Sequence, residues 1–403
     1  MAEAIRRITI VGASLAGLRA AETLRSRGFD GALTLVGDER HRPYDRPPLS
    51  KQVLHGKWTP EQTFFRQKDG YDPLALDLRL GVRATSLDLR ARRVTLADGT
   101  WADYDRLIIT TGARVRTLPG IAQRQGLLVL RTLDDALVLR EELSRAARVA
   151  IVGMGFIGLE VAAACRLRGV DVTAIESLRL PLAPIVGPTL GEMLVAMHAD
   201  HGVDVRTGVT VTDVYGEPRV AGVALSDGSR VEADVVVVGI GVVPNTEWLK
   251  GSGLTLDNGI VCNDSGEAAP GVYAAGDVAR MANVWYGDAP RIEHWTNAVE
   301  QGVHVAERML GGQGAEGGFS SVPYFWSDQY DRKIQFAGRA RPHDEMLVVD
   351  GSVAERRLTA LYRRGDRVVA CLTVNQPRAL IRSRKLLAGN ASWDAALADI
   401  TAA

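Results

Sequence analysis

The stretch Ile8–Gly28, ITIVGASLAGLRAAETLRSRG, decides the fold. Its apolar, β-branched start reads as a buried parallel strand. Its Ala/Leu/Arg-rich continuation reads as a helix that stops at Gly28. Between them lies Gly12-x-Ser14-x-x-Gly17, with Ala16 just before the last glycine. A glycine at the first position permits a tight turn, a small residue at the second lets backbone approach a pyrophosphate, and the third lets helix and strand pack closely. Amides at the helix start then face the phosphates, where the helix dipole favours negative charge. Ser14 stands where a glycine is usual, a small-residue variant of the approach position.

The same pattern returns in Val149–Gly169, VAIVGMGFIGLEVAAACRLRG, where Gly153-x-Gly155-x-x-Gly158 is complete. Each copy is followed by a second strand, Leu33–Val36 or Val172–Ile175, which closes a βαβ unit. Glu176 ends the second strand of the later copy, and Asp38-Glu39 follow the earlier one. A carboxylate there accepts hydrogen bonds from a ribose and repels a 2′-phosphate, so Glu176 favours NADH over NADPH. Arg179 nearby leaves that preference open. The expected fold class is α/β with two Rossmann-like dinucleotide-binding domains, followed by a C-terminal α+β domain.

The echo extends beyond the fingerprints. YDRLIITTGARVR reads as a buried strand ending in Thr110-Thr111-Gly112, and ADVVVVGIGVVPNT as another ending at Gly239 and Gly241. Each follows a β-rich stretch with an Asp-Gly hairpin signal, Asp98-Gly99 or Asp227-Gly228. In GVYAAGDVAR a short strand delivers Gly276 and Asp277 to an expected helix start, where a carboxylate serves either as a cap or as an acceptor for a ribityl hydroxyl.

With 403 residues the chain fits two or three domains. Lys+Arg and Asp+Glu balance at 48 each, which argues against nucleic acid or a membrane surface as the general partner. The start, MAEAIRRITIVG, has no secretory h-region, and no apolar run approaches a membrane span, so the cytoplasm is expected. Cys165, Cys262 and Cys371 form no CxxC or CxxxxC pair. Neither a disulfide framework nor a zinc cage has support, no metal site is expected, and the cysteines read as buried free thiols.

The set GASLAG, VGDERHRPYDRPPLSK, TTGA, GMGFIGLE, GIGVVPNT and AAGDVA resembles the FAD-dependent pyridine nucleotide-disulfide reductase superfamily. Within it, PYDRPPLSK, EHWTNAVEQ and PYFWSDQYD resemble the NADH-dependent ferredoxin reductases that serve bacterial oxygenases. The resemblance runs through the C-terminal VNQPRALIRSRKLL. It implies a glutathione reductase-like arrangement, with a discontinuous FAD domain at 1–112 and 241–318, an NADH domain at 113–240, and a C-terminal domain at 319–403. Gly12, Ser14, Ala16 and Gly17 would line the FAD pyrophosphate turn. Asp38, with Glu39 beside it, would serve the adenosine ribose, and Ala84 the adenine. Arg46, Lys51, Thr111, Gly112 and Arg131 would reach the phosphates and flavin, and Gly276, Asp277 and Trp295 the ribityl chain and ring. Gly153, Gly155, Phe156, Ile157, Gly158, Glu176 and Gly241 would bind NADH, while Glu160 faces the nicotinamide carboxamide.

Lys51 is the candidate for tuning the flavin, because an ammonium near it stabilises negative charge on the reduced ring. Trp295 and Trp326 read either as flavin neighbours or as core residues, and His294 as a packed polar neighbour. No cysteine pair stands ready for thiol–disulfide exchange, so electrons must leave the flavin outward. Asn375, with Pro377 just inside, is expected to start a helix. On it Arg378, Arg382 and Lys385 recur on one face, with Arg384 nearby. That basic face suits an acidic [2Fe-2S] ferredoxin through electrostatic steering. Two other readings stay open: a flavin NADH oxidase or quinone reductase without a protein acceptor, and a redox-sensing protein resembling apoptosis-inducing factor.

Overall fold

A computed structural model describes residues 5–66, 70–311 and 317–402; Met1–Ala4 of the opening stretch lie outside the described residues. The chain forms two compact units. The first contains the segment ending at Asp45, Thr63–Arg114 and Val243–Pro323; the second contains Arg46–Gln62, Val115–Val242 and the chain from Tyr324 on. The short segment Arg46–Gln62, which the sequence groups with the first nucleotide domain, thus belongs with the second unit.

In the first unit, strand Arg7–Val11 sits between Arg106–Ile109 and Ala32–Gly37, parallel to both. Leu76–Leu80 and Val272–Ala274 extend this sheet in parallel, and Glu267–Ala269 adds an antiparallel edge. Ile8, Ile10, Leu107, Ile108 and Ile109 are all but fully buried, as the unbroken apolar runs require of strands covered on both faces. Each such side chain contributes on the order of 1.5–3 kcal/mol of burial. The fingerprint helix, Leu15–Ser26, lies against the later helix Trp295–Leu310. The contact is backbone-close: a Cβ at Gly302 would lie 2.6 Å from the Ala16 carbonyl oxygen.

The second unit repeats the plan. Strand Arg148–Val152 is flanked in parallel by Asp171–Glu176 and Val235–Val238, with Val203–Thr207 and Leu127–Val129 outside. Val11 pairs with Val36 in the first sheet as Val152 pairs with Ile175 in the second. Both Asp-Gly signals end in hairpins. Gly99 and Gly228 take φ of 84° and 85°, and Asp98 and Asp227 each accept the amide two residues on. The left-handed glycine closes a three-residue loop rather than a two-residue one, since Leu96 N and Leu225 N donate to the carbonyls of Thr100 and Ser229.

The same unit also carries a five-stranded antiparallel sheet, in the order Tyr324–Gln329, Arg332–Gly338, Arg367–Val374, Arg357–Arg364, Glu345–Ser352. Helices Pro377–Ala388 and Trp393–Thr401 follow. Among the described residues, no helix is long and apolar enough to cross a membrane.

Two local expectations are corrected. Asn375 does not begin the helix; Gln376 precedes Pro377, while Asn375 takes φ 54° and its side chain bonds Lys333 N and Asp331 O. Its short amide suits the left-handed region and ties the strand end instead. Nor does Asp277 begin a helix: Gly276–Val278 is a single 3₁₀ turn that re-enters strand at Ala279–Met281.

Candidate dinucleotide-binding sites

The first fingerprint turn is shaped by close approaches. A Cβ at Gly12 would lie 2.1 Å from the Thr110 carbonyl oxygen, and one at Gly17 would lie 2.1 Å from the Gly12 oxygen. Thr110 Oγ1 locks the turn by donating to Gly12 O at 2.8 Å. Ser14 is the last residue before the helix, and its hydroxyl makes no capping bond. The second turn matches it: Cβ atoms at Gly153 and Gly158 would lie 2.4 Å and 2.1 Å from carbonyl oxygens of Gly239 and Gly153. Gly155 differs, because a Cβ there would meet nothing within 4 Å. Protein packing therefore does not demand glycine at 155, where the backbone faces open space. The residues present fit a pyrophosphate at both turns.

Glu176 is held in place by two backbone amides. Met154 N donates to Oε2 at 2.9 Å, and Leu178 N donates to Oε1 at 2.9 Å. The first unit has Gly37 at the aligned position, and a Cβ there would lie 2.6 Å from the Ala13 Cβ. That crowding moves the acid outward. Asp38 is exposed and pairs with Arg83 at 3.1 Å, while Glu39 receives the Tyr44 hydroxyl. Ala84 is buried at the start of the neighbouring antiparallel strand Ala84–Asp88.

Around the first cradle, Gly276 takes φ 77° and its N–H donates to Gln301 Oε1 at 2.8 Å. The Asp277 carbonyl accepts from Arg291 Nη1 at 3.0 Å. Trp295 opens its helix with Nε1 donating to Asp45 Oδ1 at 2.7 Å, so this tryptophan is oriented rather than simply packed. His294 immediately precedes that helix without a side-chain capping bond, and burial pushes its imidazole down to about 4, opposed by Asp277. Thr111 and Gly112 are pinned at the strand crossing: Thr111 Oγ1 donates to Asn245 O, Asn245 Nδ2 donates to Thr111 O, and Asn245 N donates to Gly112 O.

In the second unit Arg46 and Arg131 meet through Arg46 Nη1 and the Arg131 carbonyl, 2.8 Å apart. Phe156 packs against Phe325 with ring centroids 4.7 Å apart, whereas Ile157 is exposed. Gly241 takes φ 95°, with its carbonyl accepting from Arg116 N. Glu160, five residues past Gly155, is only 3% exposed. Its Oε2 receives Lys51 Nζ at 2.6 Å and Ser50 Oγ at 2.5 Å, and its Oε1 receives Ser327 Oγ at 2.7 Å. Lys51 also reaches Pro47 O at 3.3 Å and Ser50 Oγ at 3.4 Å, so its three hydrogens are all directed at protein acceptors.

Ser50, Ser327, Gln301 and Arg291 escape a reading from motifs. Ser50, Ser327 and Gln301 lie inside quoted blocks and Arg291 just before one, yet their partners are 110, 167, 25 and 14 residues away, and no local period signals the pairing.

The C-terminal helix departs from the expected uniform basic face. Arg382 Nε bonds Asp399 Oδ1 at 2.8 Å, and Arg384 lies over Tyr324 at 4.8 Å from the ring centroid. Tyr324 in turn stacks on Trp326 at 6.0 Å. Arg378 and Lys385 are exposed. The three cysteines are buried, and burial pushes each thiol up to about 12.

The family model for pyridine nucleotide-disulphide oxidoreductase matches residues 6–302, and a reductase C-terminal model matches 324–402. Putidaredoxin reductase CamA of Pseudomonas putida is 36% identical over 94% of this chain and 91% of its own length. Rhodocoxin reductase of Rhodococcus erythropolis is 39% identical over 94% of this chain and 89% of its own. The crystal structure of the covalent putidaredoxin reductase–putidaredoxin complex superposes with TM-score 0.92 at 35% identity, covering 99% of both chains. With two fingerprint turns, an acid-ended second strand and these matches, the chain belongs to the pyridine nucleotide-disulphide oxidoreductase family.

Proposed function

We propose that the protein is an NADH-dependent ferredoxin reductase, taking a hydride from NADH and delivering single electrons to a [2Fe-2S] ferredoxin of an oxygenase system. The relatives support the class: they are named as reductases of putidaredoxin, of rhodocoxin and of the anthranilate dioxygenase ferredoxin. FAD belongs with the first cradle, through Gly12, Ser14, Ala16 and Gly17, and NADH with the second, through Gly153, Gly155, Gly158 and Glu176. Bound FAD supplies the chemistry that converts a two-electron donor into single electrons.

The observation that carries the reading is the state of the thiols. A disulfide reductase needs an accessible thiol pair of low pKa, and this chain has three buried cysteines held high by desolvation. Electrons therefore pass to an outside acceptor.

Within the second unit, Lys51 fixes the Glu160 carboxylate, and Glu160 presents it to the nicotinamide carboxamide. Glu176 accepts the adenosine ribose hydroxyls and disfavours a 2′-phosphate. The ferredoxin surface is read as Arg378 and Lys385, with Arg382 and Arg384 already engaged, and its partner as acidic. A cytoplasmic location accords with that partnership.

Anaerobic mixing tests the reading. NADH should bleach the flavin band, and oxidised ferredoxin should restore it. A reduced flavin that ignores ferredoxin and reoxidises only in air points to an oxidase.

A further inference from the structure

The hydrogen bonds on Glu160 do not end at Ser327. Gln329 Nε2 lies 3.0 Å from Ser327 Oγ, Gln329 Oε1 lies 3.0 Å from His198 Nε2, and His198 Nδ1 lies 3.1 Å from the Tyr330 hydroxyl. Glu160, Ser327, Gln329 and His198 are each at most 3% exposed, so water does not compete along the line.

The direction of every hydrogen follows from the acidic end. Glu160 is paired with Lys51 and, as a carboxylate, accepts only. The single hydroxyl hydrogen of Ser327 must therefore go to Glu160 Oε1, leaving Ser327 Oγ to accept. Gln329 must then turn its amide nitrogen to Ser327 and its oxygen to His198. His198 must carry its proton on Nε2, which leaves Nδ1 to accept from Tyr330. Four hydrogens in series point toward one anion, and such chains strengthen bond by bond in a dry interior.

We infer that His198, Gln329 and Ser327 are positioning residues for hydride transfer, which act together through Glu160 to hold its carboxylate in one orientation toward the nicotinamide. This rests on the role given to Glu160 above. His198 lies in helix Pro188–Asp200 and Gln329 ends strand Tyr324–Gln329, so the chain links the nucleotide-binding sheet's helix to the C-terminal sheet through polar groups. A second link between the two layers, Tyr362 Oη to the Val186 carbonyl at 2.7 Å, is buried, and among the described residues no hydrogen bond joins it to Glu160. It serves as the control for a merely structural effect.

The test is anaerobic stopped-flow reduction of the flavin by NADH in the FAD-loaded enzyme, separating the limiting rate from the NADH half-saturation. Ser327→Ala should lower the limiting rate by about tenfold, near the value of one hydrogen bond to a charged group, and Gln329→Leu, which removes bonds between neutral groups, by about fivefold. Half-saturation should stay within about twofold of the parent, as expected when an interaction made mainly in the transition state is lost. Ser327→Thr, which keeps the hydroxyl, should recover most of the rate, and Tyr362→Phe should leave it unchanged despite a lowered melting temperature. If Tyr362→Phe slows reduction as much as Gln329→Leu does, or Ser327→Thr behaves like Ser327→Ala, the inference is overturned. If Glu160→Gln slows reduction and the chain variants do not, the chain is idle and the proposed role of Glu160 stands. If Glu160→Gln itself has no effect, that role falls, and this inference with it.

Discussion

Lys51 Nζ and Glu160 Oε2 lie 2.6 Å apart, in a pair whose side chains are 12% and 2% exposed. A lone carboxylate at that depth is costly, so each partner is the condition for keeping the other charged. Lys51→Met should destabilise the protein by about 3 kcal/mol, near the lower end for breaking a buried pair because the two serines remain. Lys51→Met combined with Glu160→Gln should recover a good part of that loss. Denaturant unfolding of the four proteins in a double-mutant cycle checks this, and additive losses would contradict it.

The glycines of the two fingerprints should separate into two behaviours. Gly12→Ala and Gly17→Ala press a methyl onto carbonyl oxygens 2.1 Å away, so the protein should fold poorly and lose FAD. Gly155→Ala meets no protein atom within 4 Å, so it should keep its melting temperature and its flavin while the NADH half-saturation rises. Flavin content, melting and NADH titration distinguish the two. Loss of stability in Gly155→Ala would contradict the ligand reading of that space.

Glu176 is oriented by the amides of Met154 and Leu178, and the proposed function gives it the adenosine ribose. Glu176→Ala should weaken NADH by about tenfold, a hydrogen bond to a charged acceptor being worth roughly 1.5–3 kcal/mol. The same change removes repulsion of a 2′-phosphate, so the NADPH/NADH ratio of kcat/KM should rise. An unchanged ratio would remove Glu176 from specificity.

His198 carries a pH prediction. Burial pushes its imidazole down from the ordinary 6.5 to about 4, with the Gln329 bond opposing and His201 adding to the effect. Below about 6.5 the unfolded chain takes up a proton that the folded chain refuses until about 4. Stability should therefore drop as pH is lowered across that window, by up to about 1.4 kcal/mol per unit from this group. His55, His294 and His304 are lowered by burial too and act in the same sense. Melting temperature against pH should be less steep in His198→Gln than in the parent, and equal slopes would count against the assignment.

The C-terminal helix yields a graded prediction. Lys385→Glu and Arg378→Glu reverse exposed charges, so each should raise the KM for ferredoxin several-fold at low salt and leave ferricyanide reduction intact. Arg382→Glu also breaks the bond to Asp399, so it should lower the melting temperature as well. Equal losses with both acceptors would locate the damage in flavin or NADH use instead.

The sequence carries the fold largely because its signals are local. The two strand–turn–helix copies, the acid closing Asp171–Glu176 and the Asp-Gly hairpins each need only a short window. The environment of Glu160 needs the whole fold, since Ser50 and Ser327 are 110 and 167 residues away along the chain. The basic helix shows the opposite failure. Its periodicity is real, but Asp399 arrives from the following helix, where no helical period within Pro377–Ala388 signals it. Asp277 fails for a third reason: a strand ending in Gly-Asp looks alike whether a helix or a single turn follows.

Under the proposed function, electrons entering from NADH leave to a ferredoxin. Steady-state anaerobic reduction of a [2Fe-2S] ferredoxin by NADH at low ionic strength, set beside oxygen consumption under the same NADH, tests it most directly. Ferredoxin turnover should stand well above the oxygen rate and fall as salt is raised. A ferredoxin rate no greater than the oxygen rate would contradict it.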